Sequence, residues 1–143
     1  SPEITGAIRK VHDFLTVGAA APLQEAGAVA LDLPDDYVRG LAADYRARRD
    51  CLLGSLRQAG FRAFVPRGAY YVMTGIEAFD LPDDTTFADF LVRNAGVAVV
   101  PGSSFYRDPR DGSRQVRFAF CKKIETLEEA GRRLGRLEAR RRT

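Results

Sequence analysis

The hydrophobic periodicity of the chain changes at Gly60, and this change restricts the fold more than any other feature of the sequence. Before Gly60, apolar residues recur at the three- and four-residue spacing of amphipathic helices, which predicts helices over residues 3–15, 22–31 and 37–59. After Gly60, short apolar segments are bounded by turn residues, as in strands. The sequence therefore predicts an α+β fold, in which a small mixed or antiparallel sheet is covered by helices and 37–59 is a long linking helix.

The strands predicted in the second part of the chain are short. A hairpin is predicted over residues 61–74, because two apolar segments flank a Pro-Arg-Gly turn. Residues 97–100 form an apolar run that Pro-Gly ends, and residues 115–121 alternate between apolar and polar. The polar segment 103–114 lies between these two strands and has the length of a functional loop.

Two further helices are predicted among these strands. Thr85 and Thr86 are candidate N-caps of a short helix that Gly96 ends. Thr126 and Glu129 have the spacing of a capping box, in which the threonine oxygen accepts from the N3 amide and the glutamate reaches back. Apolar residues follow at helical spacing, which predicts a last helix from this box onward.

The titratable residues exclude several kinds of site. His12 is the only histidine, which rules out a multi-histidine metal site in this chain and leaves a serine–histidine–aspartate triad only one candidate base. Cys51 and Cys121 form no CxxC pair, so neither zinc nor a disulfide framework is indicated. We predict that both cysteines are buried as small apolar side chains, and we expect no metal.

The composition is that of a globular chain, with 45% hydrophobic and 29% charged residues. No apolar run approaches the roughly 18 residues that a membrane-spanning helix needs. The N-terminus lacks the basic, apolar and small-residue zones of a signal peptide. We therefore expect a cytoplasmic protein, or a piece of one, that does not engage a membrane.

Five parts of the chain, in their order and spacing, resemble one family. They are Lys10–Thr16 running into Ala21–Ala26, Gly60-Phe61, Pro66–Tyr71, Gly96–Phe105 and Val116–Phe120. Together these segments are similar to the C-terminal portion of class I/II, fold type I aminotransferases of the aspartate aminotransferase superfamily, which depend on pyridoxal phosphate. The resemblance covers nearly the whole chain.

The resemblance implies a larger enzyme around this chain. In the family, a large α/β domain holds pyridoxal phosphate on a lysine, and a smaller domain closes over the substrate. Residues 1–36 correspond to the end of the large domain and the start of the interdomain region, and residues 37–143 to the linking helix and the small domain. The implied substrates are an amino acid and a 2-oxo acid, and the full-length parent is expected to be a homodimer.

The resemblance also assigns site residues. Arg117 corresponds to the strand arginine that grips the substrate α-carboxylate, and a guanidinium suits this role because it offers two parallel N–H donors. Gly68 and Tyr70 correspond to a turn beside the active-site mouth and are candidate substrate contacts. Pro101–Phe105 resembles the mobile loop next to the active site. Thr16 corresponds to a segment near the cofactor phosphate and is the only residue there with a side-chain donor.

Taken without the resemblance, these residues have ordinary explanations. The sequence around Arg117 is that of an edge-strand arginine facing water, since most arginines lie at the surface. Tyr70 is equally well a core aromatic or a substrate contact. Gly68 fits any hairpin turn.

The family's cofactor lysine is missing from this sequence. It lies in a Ser-Lys-aromatic motif followed by Gly-x-Arg, and neither motif is present. Lys10 falls in a segment downstream of that motif, and Lys122 and Lys123 are predicted to face solvent. We therefore expect that this chain alone is inactive and does not bind pyridoxal phosphate, with Ser1 an artificial or proteolytic start. Surfaces that a large domain would cover are expected to make the chain self-associate.

Three alternatives stay open at this point. Lyases and synthases of the same superfamily use the same scaffold, and the fold does not decide among them. A pI of 9.1 and the arginines of residues 132–142 allow a basic nucleic-acid-binding module, but acidic residues interleave the same helix and no helix-turn-helix or RNP motif is present, so nucleic acid is not the expected partner. The third is a scaffold that only dimerises. The sequence does not specify the amino acid substrate.

Overall fold

The computed structural model describes residues 1–137, and the arginine-rich end at 138–143 lies outside the described residues. The chain divides into two compact units, Ser1–Gly40 and Leu41–Thr143. The described residues contain five α-helices, a four-stranded antiparallel sheet and two short 3-10 helices, which confirms the predicted α+β class. The domain boundary predicted between residues 36 and 37 concerns a larger enzyme and stays a prediction.

The first unit is helical. Helix α1 spans Pro2–Thr16 and begins at Ser1, whose hydroxyl accepts a hydrogen bond from the amide of Ile4 at 3.4 Å. Helix α2 spans Ala21–Leu31, with Pro22 in its first turn. Both helices confirm the sequence prediction. Neither contains a buried residue, so the apolar stripe of α1 is exposed within this chain.

Within residues 1–137, no single helix is both long and apolar enough to cross a membrane. Helices α1 and α2 reach that length and apolar composition only when taken together, and the break between them bends the pair by 104°.

Helix α3 spans Asp35–Gln58, which confirms the long helix predicted over 37–59; its role as a link between two domains stays a prediction. The sequence predicts one apolar face along its whole length, but only the second half is buried. Tyr37 and Leu41 are 54% and 43% exposed, whereas Leu52 and Leu56 lie in the core.

A left-handed glycine ends α3 as predicted. Gly60 has a φ of 87°, which costs a glycine little, and the amide of Phe61 donates to the carbonyl of Leu56 at 2.9 Å. This 6→1 bond is the Schellman arrangement, in which the residue after the glycine also makes an apolar contact back to the helix. Phe61 accordingly enters the core.

Four strands follow: β1 (Arg62–Phe64), β2 (Tyr71–Gly75), β3 (Val100–Pro101) and β4 (Gln115–Ala119). Their spatial order is β1-β2-β4-β3, and every pairing is antiparallel. The β1–β2 hairpin confirms the prediction.

The strand predicted over 97–100 is wrong in position, because β3 contains only Val100 of that run. The amide of Val97 donates to the carbonyl of Leu91 at 3.3 Å, so this segment first completes the end of a helix. Pairing with β4 begins only at Val100. Between β3 and β4, the predicted loop contains two short 3-10 helices, Gly102–Phe105 and Pro109–Gly112.

Helix α4 spans Asp84–Ala95, and its predicted caps Thr85 and Thr86 are wrong. The N-cap is Asp83, whose carboxylate accepts from the amide of Thr86 at 2.7 Å. Asp83 is extended, which leaves its side chain free to reach the first turn. Gly96 ends the helix with a φ of 63°, as predicted.

Helix α5 spans Ile124–Leu134, and the predicted capping box at Thr126 and Glu129 is wrong. The helix begins two residues before Thr126, so the Thr126 amide already donates to the carbonyl of Lys123 at 3.1 Å. Glu129 binds Arg132 and Arg133 instead of a backbone amide.

Helices α3, α4 and α5 cover one face of the sheet. Core side chains alternate along the strands, with Val72 on β2 and Val116 and Phe118 on β4. Phe61 lies at the centre of the aromatic contacts, with ring centroids 4.7 Å from Phe79 and 5.3 Å from Phe118.

The prediction that both cysteines are buried is wrong for Cys121, which lies two residues after the end of β4 and is exposed. Cys51 is half-buried on α3, where burial and the nearby charge of Glu128 raise the pKa of its thiol.

The cap of α4 predicts a pH-dependent stability. Hydrogen bonds from the Thr86 amide and the Thr85 hydroxyl lower the pKa of Asp83 below its usual value. A carboxyl whose pKa is lower in the folded state stabilises the protein fully above its unfolded pKa, and this stabilisation is lost as the pH falls through the folded pKa. We expect Asp83→Ala to cost about 1 kcal/mol of unfolding free energy at neutral pH, and less as the pH drops below about 4.

Urea unfolding of the chain at pH 7 and at about pH 3 measures this effect. Asp83→Asn is the matched control, because asparagine caps helices as well as aspartate does and does not titrate. A cost of Asp83→Ala that is the same at both pH values contradicts the assignment.

Candidate functional site

The face of the sheet opposite the helices carries a row of four residues, one from each strand. Arg117 on β4 lies opposite Met73 on β2 and Val100 on β3, and Phe64 on β1 lies opposite Met73. We call these four residues the open-face row. The alternation of β4 produces it: Val116 and Phe118 point into the core, so the residue between them must point away.

Two aromatic rings contact the guanidinium of Arg117. Its Cζ atom lies 4.8 Å from the ring centroid of Tyr71 and 4.1 Å from that of Phe105. Tyr71 belongs to β2 and Phe105 to the first 3-10 helix, so two different elements hold the same cation. Contacts of this kind stabilise an arginine by about 0.5–2 kcal/mol and remove water from part of its surface.

The half-buried arginines of residues 1–137 differ in the groups that interact with their guanidinium. Arg49 pairs with Asp50 at 2.8 Å, and Arg114 donates to the carbonyl of Leu81 at 2.6 Å. Arg48 and Arg117 have no carboxylate within 4.0 Å among the described residues. Arg48 lies over one ring on α3, whereas Arg117 lies over two rings on the sheet. The Arg117 guanidinium is therefore fixed by two aromatic rings, and no carboxylate of residues 1–137 accepts a hydrogen bond from it.

Tyr70 lies just before β2 and is 52% exposed, so it is not a core aromatic in this chain. Its ring meets that of Tyr71 edge to face at 5.8 Å. Its carbonyl accepts from the amide of Phe120 at 2.8 Å, which ties the start of β2 to the end of β4. Tyr70 is thus linked to Arg117 through Tyr71 rather than by a contact of its own.

Gly68 is exposed in the β1–β2 turn, and a Cβ atom there would meet nothing within 4 Å. The left-handed residue of this turn is Ala69, with a φ of 60°. Nothing in the described residues therefore requires glycine at position 68. A substrate role for Gly68 stays a prediction.

Tyr71 and Asp84 are not predicted as site residues from the sequence. Tyr71 shares a face with Arg117, since the register pairs Tyr71 with Ala119 and Met73 with Arg117. Strand alternation could have revealed this once the pairing was known. Asp84 belongs to the polar segment Asp80-Leu81-Pro82-Asp83-Asp84, and no sequence signal indicates that its carboxylate is buried.

The loop that carries Phe105 is tightly packed. A Cβ atom at Gly102 would lie 2.6 Å from the carbonyl oxygens of Gln115 and Gly112, so the backbones of the two 3-10 helices touch where Gly102 passes Gly112. The carboxylate of Asp84 accepts from the amide of Ser103 at 2.7 Å. This packing brings Phe105 to Arg117.

The side chains of residues 1–137 that could contact a cofactor phosphate or form a Schiff base, Thr16 and the three lysines, are all exposed. Thr16, the predicted phosphate donor, already donates its hydroxyl to the carbonyl of His12 at 2.7 Å and is exposed. Lys10 lies on α1, Lys122 and Lys123 precede α5, and all three are exposed. No three His, Cys, Asp or Glu side chains of the described residues are placed to hold a metal ion.

The sheet, its covering helices and the linking helix define an aminotransferase fold of type I. The solved structure of N-succinyldiaminopimelate aminotransferase from Mycobacterium tuberculosis superposes with a TM-score of 0.81 at 36% identity, over 94% of this chain and 35% of that one. The model of the family "Aminotransferase class I and II" matches residues 1–134. The chain belongs to this family, which confirms the resemblance.

Relatives with similar sequences are also aminotransferases. A probable N-succinyldiaminopimelate aminotransferase of Mycobacterium tuberculosis is 37% identical over 147 residues, which cover 96% of this chain and 37% of that protein. Kynurenine–oxoglutarate transaminase of Dictyostelium discoideum is 35% identical, over 89% of this chain and 34% of that protein. The chain therefore spans about a third of the length of these relatives.

The contact between the two 3-10 helices predicts a sharp difference between two glycines. Gly102→Ala places a Cβ atom against two backbone oxygens, so we expect a loss of about 1–3 kcal/mol in unfolding free energy. Gly68→Ala is the control, because its Cβ atom enters open space, and its effect should stay within about 0.5 kcal/mol. Urea unfolding of both variants measures the difference, and equal stabilities would show that the close approach at Gly102 does not exist.

Proposed function

We propose that this chain is the substrate-closing part of a pyridoxal-phosphate-dependent amino-acid aminotransferase, and that Arg117 binds the α-carboxylate of the substrate. One observation carries the proposal: Arg117 is a half-buried cation that two rings hold on the open face of the sheet, with no described carboxylate as partner. Membership of the aminotransferase family supplies the context in which such a cation has a use.

The geometry suits a carboxylate. A guanidinium presents N–H donors in a fixed plane and binds a carboxylate through two parallel hydrogen bonds, so it sets the orientation of the acid as well as its position. Because Arg117 lies on a paired strand and against two rings, little side-chain motion remains to be lost when the substrate binds. Holding the acid group in this way also orients the adjacent carbon, where the reaction takes place.

A single carboxylate site serves both substrates of a transamination. The amino acid and the 2-oxo acid share the carboxylate and differ at the neighbouring carbon. Met73, Val100 and Phe64 beside Arg117 offer no charge, so the other residues of the open-face row do not compete with Arg117 for the acid.

The proposal limits what this chain does alone. Pyridoxal phosphate would supply the electron sink for the reaction, and we propose that this chain does not hold it alone. The lysine and the phosphate donors must come from other residues of the proposed enzyme, so residues 1–143 alone are proposed to be inactive. The homodimer, the cytoplasmic location and the roles of Tyr70, Gly68 and Thr16 stay predictions.

The relatives differ in the amino acid that their names carry, N-succinyldiaminopimelate in one and kynurenine in another. The proposal is therefore confined to the α-carboxylate, the group that all amino acids share.

The role of Arg117 predicts a kinetic effect in the intact enzyme that contains this chain. We expect Arg117→Ala to raise the KM for the amino acid and to lower kcat/KM by about 2–4 kcal/mol equivalent, the loss of a charged two-point contact. Arg117→Lys should recover only part of this, because lysine keeps the charge but not the fork of donors. Steady-state kinetics measure both.

Arg93→Ala is the matched control, since it removes the same charge from an exposed position on α4, where the one carboxylate that Arg93 pairs with among residues 1–137 is Asp89. If Arg117→Ala behaves like Arg93→Ala, Arg117 does not bind the substrate.

The cofactor has its own test. The intact enzyme mixed with pyridoxal phosphate should show the visible absorbance of the lysine-bound cofactor, and residues 1–143 alone should not, since the cofactor lysine is proposed to lie outside them. The opposite result is visible absorbance of the 143-residue chain that survives dialysis and is lost in a Lys10→Ala, Lys122→Ala or Lys123→Ala variant. It would overturn the proposal that the cofactor lysine lies outside residues 1–143.

A further inference from the structure

Asp84 is a buried carboxylate without an obvious reason to be buried. It is the first residue of α4 and is only 2% exposed. Among the described residues, Asp84 and Thr74 are the only buried polar side chains. Burying a carboxylate is costly unless hydrogen bonds satisfy it. The hydrogen bonds of Asp84 therefore indicate its structural role.

Asp84 contacts both ends of the loop between β3 and β4. Its Oδ2 atom accepts from the amide of Ser103 at 2.7 Å, and its own amide donates to the carbonyl of Ser113 at 2.9 Å. The side-chain bond is charge-assisted, and the N-terminus of α4 favours a negative charge at this position. One residue thus joins helix α4 to the beginning and the end of the loop.

The bond to Ser103 leads directly to the candidate site. Ser103 and Phe105 belong to the same 3-10 helix, Gly102–Phe105. Phe105 is the nearer of the two rings on Arg117, at 4.1 Å. A shift of the Ser103 backbone therefore moves the ring that holds the guanidinium.

We propose that Asp84 is a positioning residue: its carboxylate fixes the 3-10 helix that keeps Phe105 against Arg117, and so orients the guanidinium toward a substrate carboxylate. The inference rests on the function proposed for Arg117. Asp84 has no hydrogen bond or ion pair to Arg117 among the described residues, so in this proposal it acts through Ser103 and Phe105 and not by touching the substrate.

The neighbouring Asp83 provides a matched control. Both aspartates lie at the start of α4 and both accept a backbone amide at 2.7 Å. Asp83 binds Thr86 within its own helix, whereas Asp84 binds the loop. Asp83→Ala therefore weakens α4 without removing the bond to Ser103, and Asp84→Ala removes that bond.

Amide hydrogen exchange of the intact enzyme is the first measurement. We expect Asp84→Ala to speed exchange in residues 102–106 by about tenfold relative to residues 115–119 of β4, which report any general loss of stability. Asp83→Ala should change the two segments by the same factor. Asp84→Asn keeps the size and an acceptor, so it should shift exchange in the same direction by less, and it serves if Asp84→Ala fails to fold.

Kinetics are the second measurement. Asp84→Ala should raise the KM for the amino acid several-fold, with a smaller change in kcat, and Asp83→Ala should leave KM unchanged. In an Arg117→Ala background, Asp84→Ala should have no further effect on KM, because it acts only through that arginine.

Each result decides a different point. If amide exchange in residues 102–106 is unchanged in Asp84→Ala, the Asp84 carboxylate does not fix the loop. Faster exchange with an unchanged KM, in an enzyme where Arg117→Ala raises KM, overturns the positioning role while the function of Arg117 stands. If Arg117→Ala also leaves KM unchanged, the proposed function itself has failed.

Discussion

The alternation of side chains along β4 is the constraint on which the candidate site depends. Val116 and Phe118 are drawn into the core under the helices, and this burial forces Arg117 onto the opposite face. A slip of one residue in the pairing of β4 with β2 would exchange the two faces and place the guanidinium in the core. The hydrophobic effect that builds the core thereby also sets the direction of the one charged member of the open-face row.

The surroundings of Arg117 come from parts of the chain that are far apart in sequence. Tyr71 reaches it from β2, and Phe105 from a 3-10 helix that close backbone packing at Gly102 and a buried Asp84 hold in place. The close backbone packing and the buried carboxylate together give the loop a defined position. The chain belongs to the class I and II aminotransferases, and a defined arginine is what we propose such an enzyme requires of this region.

Local sequence signals correctly predicted the elements that depend on interactions between residues close in sequence. The helical spacing before Gly60, the two left-handed glycines and the β1–β2 hairpin all follow from short-range rules, and the structure has them. The errors concern where an element begins or ends, which depends on which of several nearby carbonyls accepts a given amide. Thr126 has the right neighbours for a cap, but α5 begins earlier. Residues 97–99 have the composition of a strand, but the end of α4 takes the amide of Val97.

The sequence by itself determined the fold class, the order of the elements and the resemblance that singles out Arg117, because periodicity and turn residues are properties of neighbouring positions. Only the tertiary structure decided that Tyr71 rather than Tyr70 meets Arg117, that Phe105 is the second ring, and that Asp84 is buried against Ser103. These contacts join residues 12 to 46 positions apart, and their geometry depends on strand register and loop packing. No local pattern encodes that register, because it arises only when the whole core is assembled.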